Sequence, residues 1–283
     1  MKSLFIPFAA AAVMASGFIV SSCSGSSSCD SASCPGDVVV NNFEVREVLK
    51  TASRSYEVTM DSERFYLNVE TSVQWPERFG DSNLKPLRDS ILSIAYGVAP
   101  GMGVDDAIVS FVNDRKVFDA PATMVPVDSI AVRDDGTYYE IDCSARLMEL
   151  TERTATYEVA TYSYLGGAHP NYSVVPFTYD LLNGRVLTLD NMFNPGSRDA
   201  LLDIIKEQLA MQEGVTVATL ADADIFADRI TVSPMVYLSR GSVVFHYNRY
   251  DIAPYAKGEV DVEVPSYVLS KYLTPGVDSL INQ

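Results

Sequence analysis

Phe177-Thr178-Tyr179-Asp180-Leu181-Leu182-Asn183-Gly184-Arg185-Val186-Leu187-Thr188-Leu189 is the stretch that decides the fold class. Phe177, Tyr179 and Leu181 alternate with polar residues, the pattern of a half-buried strand. Asn183-Gly184 follows, and this pair favours the positive φ angles of a tight hairpin turn, so Val186–Leu189 is expected to return antiparallel. The period then changes. Leu201, Leu202, Ile204, Ile205 and Leu209 form an apolar helical stripe, with Asn194-Pro195 or Ser197 as its start. A strand that returns through a turn, rather than through a crossover helix, points to antiparallel pairing.

The same grammar extends outward. Tyr56–Met60 and Phe65–Val69 alternate as strands. Leu84, Leu87, Ile91, Ile94 and Ala95 recur at helical spacing behind Asn83, a good N-cap, with Pro86 in the first turn. Val104, Ala107, Ile108, Phe111 and Val112 suggest a second helix, with Asp105 and Asp106 favourably placed in its first turn. Pro121–Pro126 reads as a linker. Beyond it Ile130–Arg133 and Thr137–Ile141 flank the hairpin signal Asp134-Asp135-Gly136. Leu147–Leu150, Ala155–Leu165, Ile230–Leu238, Ser242–Tyr247 and Val260–Val264 read as strands, and Ser266–Leu273 as a short helix. The expected class is α+β, mainly antiparallel sheets with packed helices, in two subdomains: 43–125 and 126–283.

The N-terminus reads as an address. Lys2 precedes an apolar stretch, Leu4–Val20, of signal-peptide length, which ends in Val20-Ser21-Ser22-Cys23. A hydrophobic residue, two small residues and a cysteine form the bacterial lipoprotein box, so residues 1–22 are expected to be removed and Cys23 lipidated. An ordinary signal peptide ending near a cysteine is the alternative. Residues 23–42 include a Ser/Gly-rich run and read as the lipidated cysteine and its flexible tether. The expected place is the bacterial cell envelope, lipid-anchored and extracytoplasmic, facing the periplasm or the outside. Contact with the membrane would run through the Cys23 anchor only. In such a compartment Cys29 and Cys34 could close a small loop. Cys143, inside an alternating strand pattern, reads as a small buried hydrophobe.

Across 283 residues, 21 Lys and Arg face 37 Asp and Glu, for a formal net charge of −16. That balance argues against nucleic acid as a partner and favours a basic one. Catalytic signatures are scarce. His169 and His246 are the two histidines of the chain, which excludes a three-His zinc centre; HExxH, GxSxG and phosphate-binding glycine motifs do not occur. His246 alternates with Val243, Phe245 and Tyr247 and is expected on a sheet surface. The acidic pairs Asp105/Asp106, Asp134/Asp135, Asp222/Asp224 and Asp261/Glu263 are read as solvated turns and helix starts. No catalytic residue, metal or cofactor is expected.

The second half carries a resemblance. Tyr162-Ser163-Tyr164-Leu165-Gly166-Gly167-Ala168-His169-Pro170-Asn171-Tyr172, then the Phe177–Gly184 hairpin, Leu187–Phe193, and Tyr250-Asp251-Ile252-Ala253-Pro254-Tyr255-Ala256-Lys257-Gly258 stand in the order of the extracytoplasmic domain of RsiV-type anti-sigma factors. That domain also occurs in many bacterial lipoproteins of unknown function. The region 43–125 resembles its N-terminal companion, which also accompanies PdaC-type peptidoglycan deacetylases. The resemblance implies an α+β body that, in the RsiV branch, binds lysozyme directly. Neither anti-sigma nor deacetylase activity carries over, because the cytoplasmic sigma-binding segment and the deacetylase domain have no counterpart in this sequence. The expected function is therefore a non-enzymatic envelope lipoprotein that binds a protein or a glycan, with a basic protein such as a lysozyme-like muramidase or an envelope glycan as partner. Tyr164, Gly166, Gly167, His169, Tyr172, Tyr250 and Tyr255 are the candidate ligand-binding residues. The alternative is a peptidoglycan-directed hydrolase or deacetylase using His169 with a carboxylate.

Overall fold

The computed structural model describes residues 43–118, 121–128 and 138–281. The expectations for Cys23, the tether, Cys29, Cys34 and the Asp134-Asp135-Gly136 turn lie outside these residues. Residues 42–283 group as one compact unit. Among the described residues are ten strands and six α-helices: β1 (Val45–Met60), β2 (Glu63–Phe79), α1 (Lys85–Tyr96), α2 (Val104–Val112), β3 (Thr123–Val127), β4 (Tyr138–Leu150), β5 (Thr154–Tyr164), β6 (Asn171–Asp180), β7 (Arg185–Val186), α3 (Leu189–Met192), α4 (Arg198–Gln212), β8 (Val236–Ser239), β9 (Ser242–Tyr247), β10 (Val260–Pro265), α5 (Ser266–Leu269) and α6 (Pro275–Ile281).

Seven strands form one sheet in the order β3-β1-β2-β4-β5-β6-β7, and three form a second in the order β10-β9-β8. Every pairing is antiparallel except β2 with β4, which runs parallel from Tyr66↔Tyr138 to Val73↔Ala145. The class is thus α+β with mainly antiparallel sheets, as the alternation and hairpin signals imply. The boundary expected between 125 and 126 falls inside β3, and the large sheet runs through it. The segment read as a linker is instead an edge strand, because Met124 is an apolar residue that β1 needs beside Tyr56 and Val58, and all three are buried together.

Alternation dictates the layers. Val73, Cys143, Tyr157, Val159, Phe177 and Tyr179 line one face of the large sheet and pack against Leu87, Ile91, Ala107 and Ile108 of α1 and α2. Over β5 and β6 the other face meets the small sheet, where the Thr178 hydroxyl accepts from the Leu238 N–H and the Thr156 hydroxyl donates to the Leu238 carbonyl. The far face of the small sheet holds Val243, Phe245, Val262 and Val264, covered by Leu201, Ile205 and Leu209 of α4. Those three helix residues stand one turn apart, are nearly inaccessible, and each contributes roughly 1.5–3 kcal/mol by burial.

Local chemistry explains most boundaries. Asn83 Oδ1 accepts from the Lys85 N–H just ahead of α1, but the N-cap expected at Asn83 falls one residue later, at Leu84, whose side chain caps nothing. The Asn183-Gly184 turn is wider than the two-residue hairpin expected. The buried Asp180 carboxylate accepts from the N–H groups of Leu182 and Asn183, so the loop takes four residues and the returning strand shrinks to Arg185–Val186. The strand expected over Ile230–Leu238 likewise contracts to Val236–Ser239, preceded by short 3-10 turns at Val217–Ala223 and Ala227–Arg229. Ile225, Ile230 and Val232 still enter the core, but from irregular backbone.

Candidate functional site

Two loops far apart in sequence build the candidate site. The first joins β5 to β6. Gly166 and Gly167 have φ of +92° and +103°, values that side chains with a Cβ rarely adopt. A Cβ on Gly166 would also stand 3.1 Å from the Tyr139 hydroxyl. The turn these glycines allow carries His169 and Pro170 back toward the start of β6, and the Tyr164 hydroxyl reaches across it to the Gly167 carbonyl at 3.4 Å.

The second loop joins β9 to β10. Asn248 anchors it: its side chain accepts from the Val174 N–H (2.7 Å) and donates to the Val174 carbonyl (2.9 Å), as a neighbouring strand would. Its own N–H donates to Asp251. Ile252 and Ala253 are buried, while Lys257 donates to Glu213 and to the Ala223 carbonyl. Held on both sides, the loop presents Tyr250 half-exposed with φ of +69°, an unfavourable conformation for a residue with a bulky side chain.

The two loops meet through rings. His169 and Tyr255 stack with centroids 3.9 Å apart and planes 22° apart. Tyr250 lies 6.0 Å from His169 and 5.7 Å from Tyr255, both tilted. The Tyr255 hydroxyl donates to the Pro170 carbonyl at 3.1 Å. His169 Nδ1 stands 3.0 Å from the same carbonyl, which can only accept, so this nitrogen carries the proton of the neutral ring. Nε2 is then the acceptor for the Tyr250 hydroxyl at 3.0 Å. Both ring nitrogens are engaged, neither by a carboxylate. Arg249 completes the group. Its guanidinium lies 5.1 Å from the Tyr172 ring and 4.9 Å from the Tyr255 ring, and Glu259 holds it at 2.8 Å. Burial raises the Tyr172 hydroxyl pKa, and Glu158 and Glu259 add to the shift against Arg146 and Arg249.

His169, Tyr250 and Tyr255 therefore form one platform, which Tyr172 joins through Arg249. Gly166 and Gly167 shape it. Tyr164 stays with the loop and packs edge-on against Tyr139 instead. Arg249, Asn248 and Glu259 belong to the site and were not singled out from sequence. Their signal is faint: a polar pair directly ahead of the Tyr250–Gly258 run and an acid directly after it.

His246 is not on a surface. Its face of β9 is opposite that of Val243, Phe245 and Tyr247, as alternation requires, but it is only 3% exposed, because that face of the small sheet turns toward β5 and β6. Nδ1 pairs with Asp261 at 2.8 Å, and the Tyr237 hydroxyl shares the same carboxylate. Nε2 is buried with no partner among the described residues. The nearby Ser233 hydroxyl donates to the His246 carbonyl rather than to the ring, so these residues do not form a nucleophilic relay. Asp105 and Asp106 sit in the first turn of α2, where Asp105 pairs with Lys50. Asp224 ends a 3-10 turn. Among the described residues no cluster of three or more His, Cys, Asp or Glu could hold a metal, and no helix is long and apolar enough to cross a membrane.

Known proteins share this fold. A DUF3298-family structure from Bacteroides fragilis aligns over 84% of this chain and 98% of its own, with a TM-score of 0.64 at 21% identity. A DUF3298-family structure from Pseudomonas aeruginosa PAO1 aligns over 84% and 97%, with a TM-score of 0.54 at 18% identity. A Mycobacterium tuberculosis protein named Esterase Rv3036c is 28% identical over 107 residues, which span 36% of this chain and 44% of that protein; the chain thus matches less than half the length of this curated relative. Residues 190–267, from α3 to the start of α5 and including Arg249, Tyr250 and Tyr255, match the family described as "Protein of unknown function (DUF3298)".

Proposed function

We propose that this chain is a non-enzymatic lipoprotein of the bacterial cell envelope whose His169–Tyr250–Tyr255 platform binds a protein or glycan ligand. The observation that carries this reading is the ring cluster itself. Three aromatic side chains from two loops are locked by the Tyr250–His169 hydrogen bond, the His169–Tyr255 stack and the Tyr255 bond to the Pro170 carbonyl, with Tyr250 half-exposed on strained backbone. Such rings offer flat amphipathic area with little freedom left to lose on binding, the property that makes tyrosine frequent at binding hot spots and against sugar faces. The −16 charge suits a cationic partner by speeding encounter, and the RsiV-type likeness makes a lysozyme-like muramidase the first protein to try. The PdaC-type likeness of the N-terminal region makes peptidoglycan glycan the other.

The test is direct association of the purified protein with lysozyme and with soluble peptidoglycan fragments, at low and physiological salt, for the wild type and for His169→Ala and Tyr250→Ala. Binding that both substitutions weaken supports the platform. Binding that neither substitution alters removes it, and absence of lysozyme association at either salt removes that partner.

The name of the mycobacterial relative favours a second reading, hydrolysis of an ester. On this chain it would need His169 as base, with its Nε2 released from Tyr250. Turnover of p-nitrophenyl acetate or of acetylated peptidoglycan, lost in His169→Ala, would favour it over binding alone.

A further inference from the structure

Hydrogen placement decides what the ring platform offers. The Pro170 carbonyl lies 3.0 Å from His169 Nδ1 and 3.1 Å from the Tyr255 hydroxyl, and a carbonyl only accepts. Both groups therefore spend their hydrogens on it. Nε2 of His169 is left as an acceptor, and the Tyr250 hydroxyl spends its hydrogen there, at 3.0 Å. Tyr164 turns its hydroxyl hydrogen to the Gly167 carbonyl in the same way. Every polar side-chain hydrogen of His169, Tyr250 and Tyr255 is thus committed inside the site. The half-exposed Tyr250 offers a partner the lone pairs of its oxygen and a ring whose face is electron-rich.

The charges of the same loop point the same way. Its two cations are neutralised, Arg249 by Glu259 and Lys257 by Glu213, both at 2.8 Å. Asp251, exposed and directly after Tyr250, adds a further carboxylate, one oxygen of which accepts from the Asn248 N–H. Arg249 also shows what these rings hold, since its guanidinium lies over Tyr172 and Tyr255 with a carboxylate as counter-ion.

Resting on the binding reading above, we infer that the Tyr250 end of the platform takes a cationic donor, the ammonium or guanidinium of a Lys or Arg side chain on a partner protein. Such a group donates to the Tyr250 oxygen, lies against its ring and gains from the Asp251 charge. The acetamido carbonyls and lactyl carboxylate of peptidoglycan glycan bring acceptors instead, and His169, Tyr250 and Tyr255 have no hydrogen left for them. A neutral sugar hydroxyl can donate, but it lacks the charge that the ring face and Asp251 favour. On this ground the partner is a basic protein rather than a glycan.

NMR of the purified protein with labelled tyrosine and histidine rings tests this at constant ionic strength. The probes are acetyl-Gly-Lys-Gly-amide and acetyl-Gly-Arg-Gly-amide, compared with acetyl-Gly-Glu-Gly-amide, glucosamine and N-acetylmuramic acid. The Tyr250 and His169 signals are identified by their loss in Tyr250→Phe and His169→Gln. The Lys and Arg peptides should shift both signals saturably, and the comparison compounds should not. Tyr250→Phe keeps the ring and removes the oxygen, so cation binding read on the His169 signal should weaken about tenfold or more in a protein of unchanged circular dichroism. A preference for the Glu peptide or N-acetylmuramic acid overturns the inference, as does glucosamine binding at least as tight as the Lys peptide. Cation binding that Tyr250→Phe leaves unaltered overturns it too. If lysozyme or peptidoglycan fragments bind through the platform while the cationic peptides leave its rings unmoved, the cation assignment falls and the binding reading stands. If no probe moves the rings and neither lysozyme nor fragments bind, both fall.

Discussion

Tyr250 donates its hydroxyl to Nε2 of His169 across 81 positions of sequence, at 3.0 Å, while its own backbone sits at φ of +69°. The bond and the backbone pull in opposite energetic directions. A left-handed conformation costs a non-glycine residue on the order of 1–3 kcal/mol and persists where surrounding structure enforces it. Here Asn248 and Asp251 on one side, and the buried Ile252-Ala253 on the other, do so.

Tyr250→Gly separates these effects. It removes the ring and relieves the backbone, so folding stability should stay level or rise by up to about 1 kcal/mol. Ligand association should fall roughly tenfold or more. Urea denaturation and a binding titration on the same preparation check both. A large loss of stability would mean that the ring is a packing element rather than a recognition element.

Gly166 and Gly167 should respond differently to alanine. Both have positive φ, but an added Cβ meets the Tyr139 hydroxyl at 3.1 Å only at Gly166 and open space at Gly167. Gly167→Ala should cost about 1 kcal/mol from backbone strain, and Gly166→Ala measurably more. Equal losses would show that Tyr139 yields without cost.

His246 and Asp261 make an asymmetric pair. Replacing Asp261 by Ala strands the buried Nδ1–H of His246 and should destabilise by about 1–3 kcal/mol. Replacing His246 by Leu removes both buried nitrogens and leaves a carboxylate that is half in water, so the cost should be much smaller. Denaturation midpoints of the two variants should therefore differ, with Asp261→Ala the lower.

Asp142 supplies a pH test. Burial raises its pKa, and the neighbouring charges of Glu70 and Glu140 raise it further. A carboxyl whose pKa is higher folded than unfolded adds stability that is complete below the unfolded value and is lost as pH rises through the folded value. Asp142→Asn keeps the group neutral at every pH. The variant should thus gain on the wild type between pH 4 and pH 7, and a constant difference across that range would contradict the assignment.

Cys143 should be inert in the folded protein. It is 1% exposed, its thiol is 3.3 Å from the Ala95 carbonyl, and burial pushes its pKa to about 12. Iodoacetamide at pH 8, read residue by residue by mass spectrometry, should label it only after denaturant is added.

Features that rest on neighbours in sequence could be read directly from the chain. The stripes of α1, α2 and α4, the strand alternation around Tyr56–Val69 and the turn glycines at 166 and 167 all follow from side-chain period and backbone sterics, which act over a few residues. The motif residues His169, Tyr250 and Tyr255 were equally visible, as unusual aromatic and glycine runs. Tertiary structure decided their meeting, because contact between a β5–β6 loop and a β9–β10 loop depends on how one sheet settles on another. The same stacking buried His246, whose alternation specified a face but not what covers it. It also set the parallel β2–β4 pairing and made a strand of Thr123–Val127, since edge pairing is chosen by the hydrogen bonds and apolar face a distant strand leaves open.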